Sequence, residues 1–408
     1  MMTKNNLTLW LLGSIVLGTI TGLVFKDHAA WLGIFGKILI QMIKALTAPL
    51  LFFAIIDSFV QVNVRGKDLL QMLKIMGLNA FAALVIALVI TNSFKAGALL
   101  DLSSFGSTAA PGDIHAPSLQ DFLEKLIPTS FLGPFVENNI LSIAMLAVLL
   151  GFGIKAAQKE NGPVSESSFK ILQQYFSLGF KTFEKILSWI TRLVPLAIFG
   201  ITAKTVGEKG LSSFTGVIAF FVVCVIGLLA QTLLVYQAWV IFYLKIPLKH
   251  FWSAIKEALI YSFGVNSSLA SLHLTLAATQ RLGASNYASR LVACVGTNLN
   301  NDGILLYEAV AVLFIAQAYH IDLSLGQQLL VMVTCIVGTL GVSGVPEAGI
   351  ISLTLVLGMN HLPVDALPVL LTVDWFIARM RSSTNVFSDI LCSVVLDKKL
   401  SQSKKVLV

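Results

Sequence analysis

Residues 373–389 read Val373-Asp374-Trp375-Phe376-Ile377-Ala378-Arg379-Met380-Arg381-Ser382-Ser383-Thr384-Asn385-Val386-Phe387-Ser388-Asp389. The run sets Asp374, Arg379, Arg381 and Asp389 in an apolar context, where each charge would cost about 3 kcal/mol or more if it faced lipid. These groups must therefore face protein, water or a bound ion. At about 100° per residue, positions 374, 378, 381, 385 and 389 return to nearly one bearing, so Asp374, Arg381, Asn385 and Asp389 form a polar stripe while Arg379 points elsewhere. An arginine on such a stripe suits a carboxylate, because its planar fork donates two hydrogen bonds at once. Asp389 and the Asn385 carbonyl, one turn on, are hard oxygen ligands of the kind an alkali cation accepts. The competing reading is a structural Arg381–Asp374 pair with no ligand.

The rest of the chain is the kind in which such a stripe is a membrane feature. Its 408 residues are 56% hydrophobic and only 12% charged, with a mean hydropathy of +0.84; a soluble domain carries roughly 25% charged residues. Apolar runs of bilayer-spanning length recur from end to end, so the fold class is all-α and polytopic, with residues 1–408 forming a single membrane unit. Leu7 to Phe25 is long enough to span and has no small-residue cleavage site after it, so it reads as a retained first helix. The net charge of +7 does not point to nucleic acid, because the basic residues sit in short loops. Arg65, Lys67 and Lys74, then Lys155 and Lys159, then Lys245, Lys249 and Lys256, then Lys398, Lys399, Lys404 and Lys405 fall on one side if the N-terminus is cytoplasmic. That is the positive-inside pattern, and it places both termini in the cytoplasm. Residues 96–118, on the other side, hold Asp101 and Asp113 and no Lys or Arg.

The first half reads as ordinary spans at 7–25, 31–61, 74–95, 128–154, 178–203 and 214–244, with Pro49 and Pro195 as mid-span prolines of a tolerated kind. From about residue 253 the pattern breaks into Ser-, Asn- and Gly-rich patches at Ser262 to Ser271, Gly296 to Gly303 and Gly338 to Gly349. Irregular polar backbone at membrane depth survives where it lines a cavity or buried site. Two patches lie near the centre of apolar runs, which predicts helical hairpins turning at Ser267–Ser268 and Gly344–Pro346. Half-helix N-termini offer N–H groups to an anion, and freed carbonyls can bind a cation. The alternative for any single patch is a Ser/Gly-rich packing face. Asp302, in the irregular run Asn298 to Gly303, completes a plausible cation cage, whereas Glu308 lies on intact helix beyond it. A carboxyl in a dry site can carry a proton; it can equally be a hydrogen-bonded residue with no traffic. Cys224, Cys294, Cys335 and Cys392 are scattered without metal-type spacing and read as small packing residues.

Four motifs in order carry a family resemblance: Tyr261 to Ser268, Asn300-Asn301-Asp302-Gly303 with Leu306-Tyr307-Glu308, Gly344 to Gly349, and Val373 to Asp389. They resemble the dicarboxylate/amino acid:cation symporters, the glutamate transporter family, and weaker matches at Lys44 to Phe52 and Arg192 to Phe199 extend the likeness over nearly the whole chain. The resemblance implies eight transmembrane helices with two re-entrant hairpins, a homotrimer, and an elevator-like movement. Scaffold elements would lie mainly within 1–250 (helices 1, 2, 4 and 5), and the transport domain would comprise helices 3 and 6 plus 253–398. It implies a plasma-membrane protein, in the inner membrane if bacterial, that couples uptake of a small dicarboxylate or acidic amino acid to sodium, protons or both. The resemblance assigns Arg381 to a substrate side-chain carboxylate, Asn385 and Ser268 to the main carboxylate, and Ser267, Ile304, Val345, Gly349, Ala378 and Ser382 to the surrounding substrate site. Gly296, Asn300, Asn385 and Asp389 match one sodium site, Asp302 with Asn300 matches part of another, and Glu308 matches a glutamate tied to proton coupling in some members.

Departures from the family pattern narrow this reading. Ala378 stands where amino-acid-transporting members have an aspartate for the substrate's ammonium group, which favours a dicarboxylate without an amino group. Glu347, at the second hairpin tip, can supply the missing negative charge. Asn301 stands for the usual Met, Val342 for a hairpin threonine, and residues 80–84 are Ala, Phe and Leu where sodium-binding members have Tyr and Thr. His273 replaces a proline and reads by default as packing. A neutral amino acid carrier of the same fold and an anion-conducting channel are alternatives, though no repeated charged rings suggest a pore. A membrane enzyme lacks support, since His28, His115, His250, His273, His320 and His361 are too scattered to form a catalytic set.

Overall fold

The computed structural model describes residues 4–61, 66–100, 102, 119–137, 139–160, 164–210, 213–295, 299–339 and 348–405. Among them there are helices and turns but no strands. The long helices are α1 (Lys4–Phe25), α2 (Ile34–Gln61), α3 (Gly66–Phe94), α4 (Ile140–Glu160), α5 (Val164–Ile190) and α6 (Val194–Lys209). α7 runs from Ser213–Ala230 into π-helical turns at Gln231–Val235 and Trp239–Leu244. After it come α8 (Leu248–Val265), α9 (Leu272–Arg281), α10 (Asp302–Ala318), α11 (Leu325–Thr339), α12 (Ala348–Met359) and α13 (Leu367–Lys405).

Four helical runs among the described residues are long and apolar enough to cross a membrane, and a bent pair makes a fifth. That pair departs from the span expected at 178–203. The chain there forms α5 and α6, inclined at 46° across a break at residues 191–193. Pro195 explains the break: it sits in the first turn of α6, where its missing N–H costs nothing, and its ring would clash with the carbonyl of Thr191 in a continuous helix. Pro49 lies inside α2 without interrupting it. The span expected at 128–154 begins later, at Ile140, after a short helical turn at Gly133–Val136.

α1 lies against α6 through small residues. A Cβ at Gly18 would sit 2.7 Å from the Phe199 carbonyl oxygen, and one at Gly22 would sit 2.6 Å from that of Ala203, so only glycine permits this approach. α2 packs on α4, α5 and α6. α10 is the hub of the other half, touching α3, α7, α11, α12 and α13. It is predominantly apolar, with Asp302 and Glu308 among its exceptions, and is buried along nearly its whole length, as a helix without a solvent or lipid side must be.

α8 and α9 pack against each other as a helical hairpin, with Asn266 in the left-handed conformation (φ 49°) ending α8. α11 and α12 form a second packed pair. The tip expected at Gly344–Pro346 lies outside the described residues. α9, α11 and α12 have 10, 15 and 12 residues, short of the roughly 20 needed to span. α13, with 39 residues, is long enough to pass every polar element in turn.

The α1–α6 contact is directly testable. Gly22→Leu should destabilise the purified protein by about 2 kcal/mol, in the range overpacking costs. Gly13→Leu, where a Cβ meets nothing within 4 Å, should leave the unfolding midpoint in detergent unchanged.

Candidate functional site

The polar stripe on α13 faces inward and meets two groups of partners. In the first, Arg381 and Asp374 are both buried and form a two-point ion pair, with Nη1–Oδ1 at 2.9 Å and Nη2 donating to Oδ2 at 3.2 Å. The residues are seven apart on one helix, so this pair fixes the guanidinium but joins no two helices. The guanidinium lies over the Tyr307 ring of α10, 4.0 Å from its centroid. Gly349, in the first turn of α12, closes the other side: a Cβ there would collide with the guanidinium nitrogens. Arg381 is thus held by charge, by a ring face and by bare backbone, an arrangement that presents one fixed fork to an anionic group.

The first hairpin docks on α13 through the residues that flank this arginine in the chain. Ser382 donates to the Asn266 side-chain oxygen at 3.0 Å. Arg379, off the stripe, donates to the carbonyls of Phe263 (3.1 Å) and Gly264 (2.6 Å), satisfying the C-terminus of α8. Ser268 is buried at the turn, and Ser267 accepts from the Ala270 amide at 3.2 Å. Ala378, one turn before Arg381, is buried and apolar. His273 packs edge-on against Tyr261.

The second group lies two turns further along α13, where the chain is irregular just before α10. Gly303 N–H donates to Asn385 Oδ1 at 2.8 Å, and Asn385 Nδ2 donates to Asn301 Oδ1 at 3.3 Å. Asn300 Nδ2 donates to Asp389 Oδ1 at 2.9 Å. Asp302 Oδ2 accepts from Tyr236 of α7 (2.8 Å) and Ser388 of α13 (2.7 Å). The structure therefore gathers Asn300, Asp302, Asn385 and Asp389 at one locus, all buried. The donors are oxygens, suited to a hard cation. Among the described residues no group of three or more His, Cys, Asp or Glu side chains assembles as a metal site.

Other expected residues sit apart. Ile304 belongs to the apolar core. Glu308 is fully buried on α10, with both carboxyl oxygens lacking a hydrogen-bond partner among the described residues, and faces Ser352 of α12. Gly296, Val342, Val345 and Glu347 lie outside the described residues. Tyr236, Ser388 and Tyr307 are contacts that sequence reasoning did not single out. Tyr307 belongs to the Leu306-Tyr307-Glu308 motif, and Ser388 flanks the stripe. Tyr236 had no signal except a polar atom in an apolar run.

An apolar helical bundle that buries Asp302, Glu308, Asp374 and Asp389 with a guanidinium and a cluster of oxygen donors among broken helices is an integral membrane protein built to pass or hold small ions. Comparison with known proteins agrees: the model of the sodium:dicarboxylate symporter family matches residues 7–399, and the chain belongs to that family. It is a transport protein and not an enzyme. Similar relatives include the C4-dicarboxylate transport proteins of Rhodospirillum rubrum (28% identical, covering 94% of this chain and 86% of the relative) and Bacillus subtilis (26%, 96% and 93%). That of Laribacter hongkongensis is 29% identical, with 94% and 87% covered.

Gly349→Ala should force the Arg381 guanidinium to move and lower transport about tenfold or more, the rate equivalent of a modest overpacking cost. Gly264→Ala, where a Cβ meets nothing within 4 Å, should transport like wild type in the same uptake assay.

Proposed function

We propose that this protein is a secondary active symporter that takes up a C4 dicarboxylate, such as succinate or malate, with sodium as the coupling ion. The observation that carries this reading is the buried Arg381 fork, with apolar Ala378 one turn away on the same helix. The fork binds one substrate carboxylate by paired hydrogen bonds, shared with Asp374. A substrate ammonium would find no acceptor at Ala378, which argues for a dicarboxylate over glutamate or aspartate. The family description names sodium, and the relatives above are named for C4 dicarboxylates. Asn300, Asp302, Asn385 and Asp389, with Gly296, form the sodium-binding region. Ser267, Ser268, Val345, Gly349, Ser382 and Asn385 line the substrate.

The packing of α3 and α7 with α10 and α13, and of α1 with α6, supports a division into scaffold and moving transport domain. On this reading the chain works as a homotrimer by an elevator movement across eight spans, with both termini cytoplasmic. Proton coupling is a second reading favoured by one observation, the burial of both Glu308 oxygens without hydrogen bonds among the described residues. Glu347 is the residue through which an acidic amino acid would be accepted instead.

Purified protein in liposomes should accumulate labelled succinate under an inward sodium gradient, and uptake should collapse when the gradient is removed. Arg381→Ala should abolish that uptake; full uptake by this variant would refute the site. Ala378→Asp should shift preference from succinate towards aspartate by about tenfold, as one buried charge-assisted hydrogen bond provides.

A further inference from the structure

Set at about 100° per residue, the side chains of α5 (Val164–Ile190) divide into three sectors. One is buried: Phe176, Leu187 and Ile190 face the bundle, and Phe183 stacks on Phe53 of α2 with ring centroids 5.6 Å apart. The second is polar and open. Lys170, Gln174, Lys181 and Lys185 are exposed and recur at helical spacing, with Ser177 and Ser188 half-buried between them. The third is apolar and equally open: Ile171 is 67% exposed, Tyr175 61%, Leu178 66% and Trp189 54%. Protein contact, exposed charge and exposed apolar surface therefore run side by side along one helix.

A helix crossing lipid cannot keep three lysines on an open face, because each ammonium would have to leave water. A helix in the headgroup layer can: its apolar strip enters the acyl boundary while its basic strip stays wet. The bend at 191–193 permits that placement. α6, with 16 residues, covers by itself about 24 Å at 1.5 Å per residue, most of a hydrocarbon core of about 30 Å. The break, with Arg192 exposed in it, therefore lies near a membrane boundary, and α5 leaves it at 46° to α6. Trp189 beside the break and Tyr175 further out carry amphipathic rings of the kind that settle at headgroup level. Among the described residues Lys170, Lys181 and Lys185 join no salt bridge; Glu184, half-buried on the same sector, is the acid that Lys181 and Lys185 face. Lys155 of α4 adds a further cation at the outer end of α5, 5.3 Å from the centroid of the Phe169 ring. The polar sector thus carries an excess of positive charge that the protein itself does not neutralise.

We propose that α5 is a membrane-surface helix that binds anionic phospholipid headgroups through Lys170, Lys181 and Lys185, with Ile171, Tyr175, Leu178 and Trp189 seated among the acyl chains. The ammonium groups donate charge-assisted hydrogen bonds to phosphate oxygens, and the lipid charge supplies the compensation that Glu184 alone does not. The topology proposed above puts this face on the cytoplasmic leaflet; the binding itself involves neither substrate nor coupling ion. Since α5 leads into α6, which packs on α1 and α2, a headgroup-bound α5 anchors that half of the molecule in the bilayer.

The test is a lipid titration of the full-length protein purified in detergent, read as the shift of its unfolding midpoint. Phosphatidylglycerol should stabilise it at far lower concentration than phosphatidylcholine. Combining Lys170→Gln, Lys181→Gln and Lys185→Gln should raise the phosphatidylglycerol needed for half the shift about a hundredfold, since each interfacial lysine contributes roughly fivefold. Arginine at the same three positions should restore the wild-type requirement. Glu184→Gln should lower it about fivefold, a gain that damage to the fold would not produce. Equal requirements for the two lipids, or an unchanged phosphatidylglycerol requirement in the triple glutamine variant, overturns the proposal. An unchanged requirement together with an altered oligomeric state in size-exclusion chromatography also overturns it, and assigns the face to a second copy of this chain. If the triple variant does not fold, Lys181→Gln alone and the wild type at raised ionic strength carry the test. Both should need more phosphatidylglycerol, about fivefold more for the single variant, and no change in either refutes the proposal.

Discussion

A charge at membrane depth must be compensated from within the protein, and the second half of this chain is arranged around that requirement. Lipid offers neither a hydrogen bond nor a counter-ion, so Asp374, Arg381 and Asp389 can lie on α13 only if other elements come to them. Arg381 is met by Asp374, by the Tyr307 ring and by the bare backbone at Gly349. Asp389 is met by Asn300, and Asn385 by the Gly303 amide. Apart from Asp374 and Tyr307, these contacts come from places where a helix stops or starts. Around α13 the broken helices and the buried charges therefore explain one another: the break before α10 supplies Asn300 and the Gly303 amide, and the start of α12 supplies the bare backbone at Gly349.

The same logic separates two prolines and two arginines that look alike in sequence. Pro49 stays inside α2, whereas Pro195 falls at the start of α6 after a 46° bend. Arg381 is committed to the polar stripe, while Arg379 turns to the carbonyl end of α8 and secures the hairpin against α13. That anchoring holds the first hairpin turn against α13, so a residue off the stripe still decides where Ser267 and Ser268 stand.

Much of this was legible from the chain itself. Composition alone fixed the membrane class, because 12% charged residues cannot cover a soluble surface. The 3.6-residue period exposed the stripe at 374, 381, 385 and 389, since helical spacing converts directly into a shared face. The polar patch at Ser262 to Ser271 marked the first hairpin turn, for polar backbone has few other uses in an apolar run. The bend at 191–193 was not legible, because a proline in a long apolar stretch is compatible with both a continuous and a broken helix until neighbours choose. The partners of Asp302 were not legible either. Tyr236 lies 66 residues away in an ordinary-looking span, and no local period announces a contact across that distance.

The sequence by itself determined that this protein is a helical membrane bundle and that one helix carries a buried charged seam. These follow from burial costs and periodicity, which act locally along the chain. Only the tertiary structure decided what compensates each charge: Asp374 and Tyr307 for Arg381, and the hydroxyls of Tyr236 and Ser388 for Asp302. Compensation is a matter of distance between atoms far apart in the chain, and that distance is set by packing.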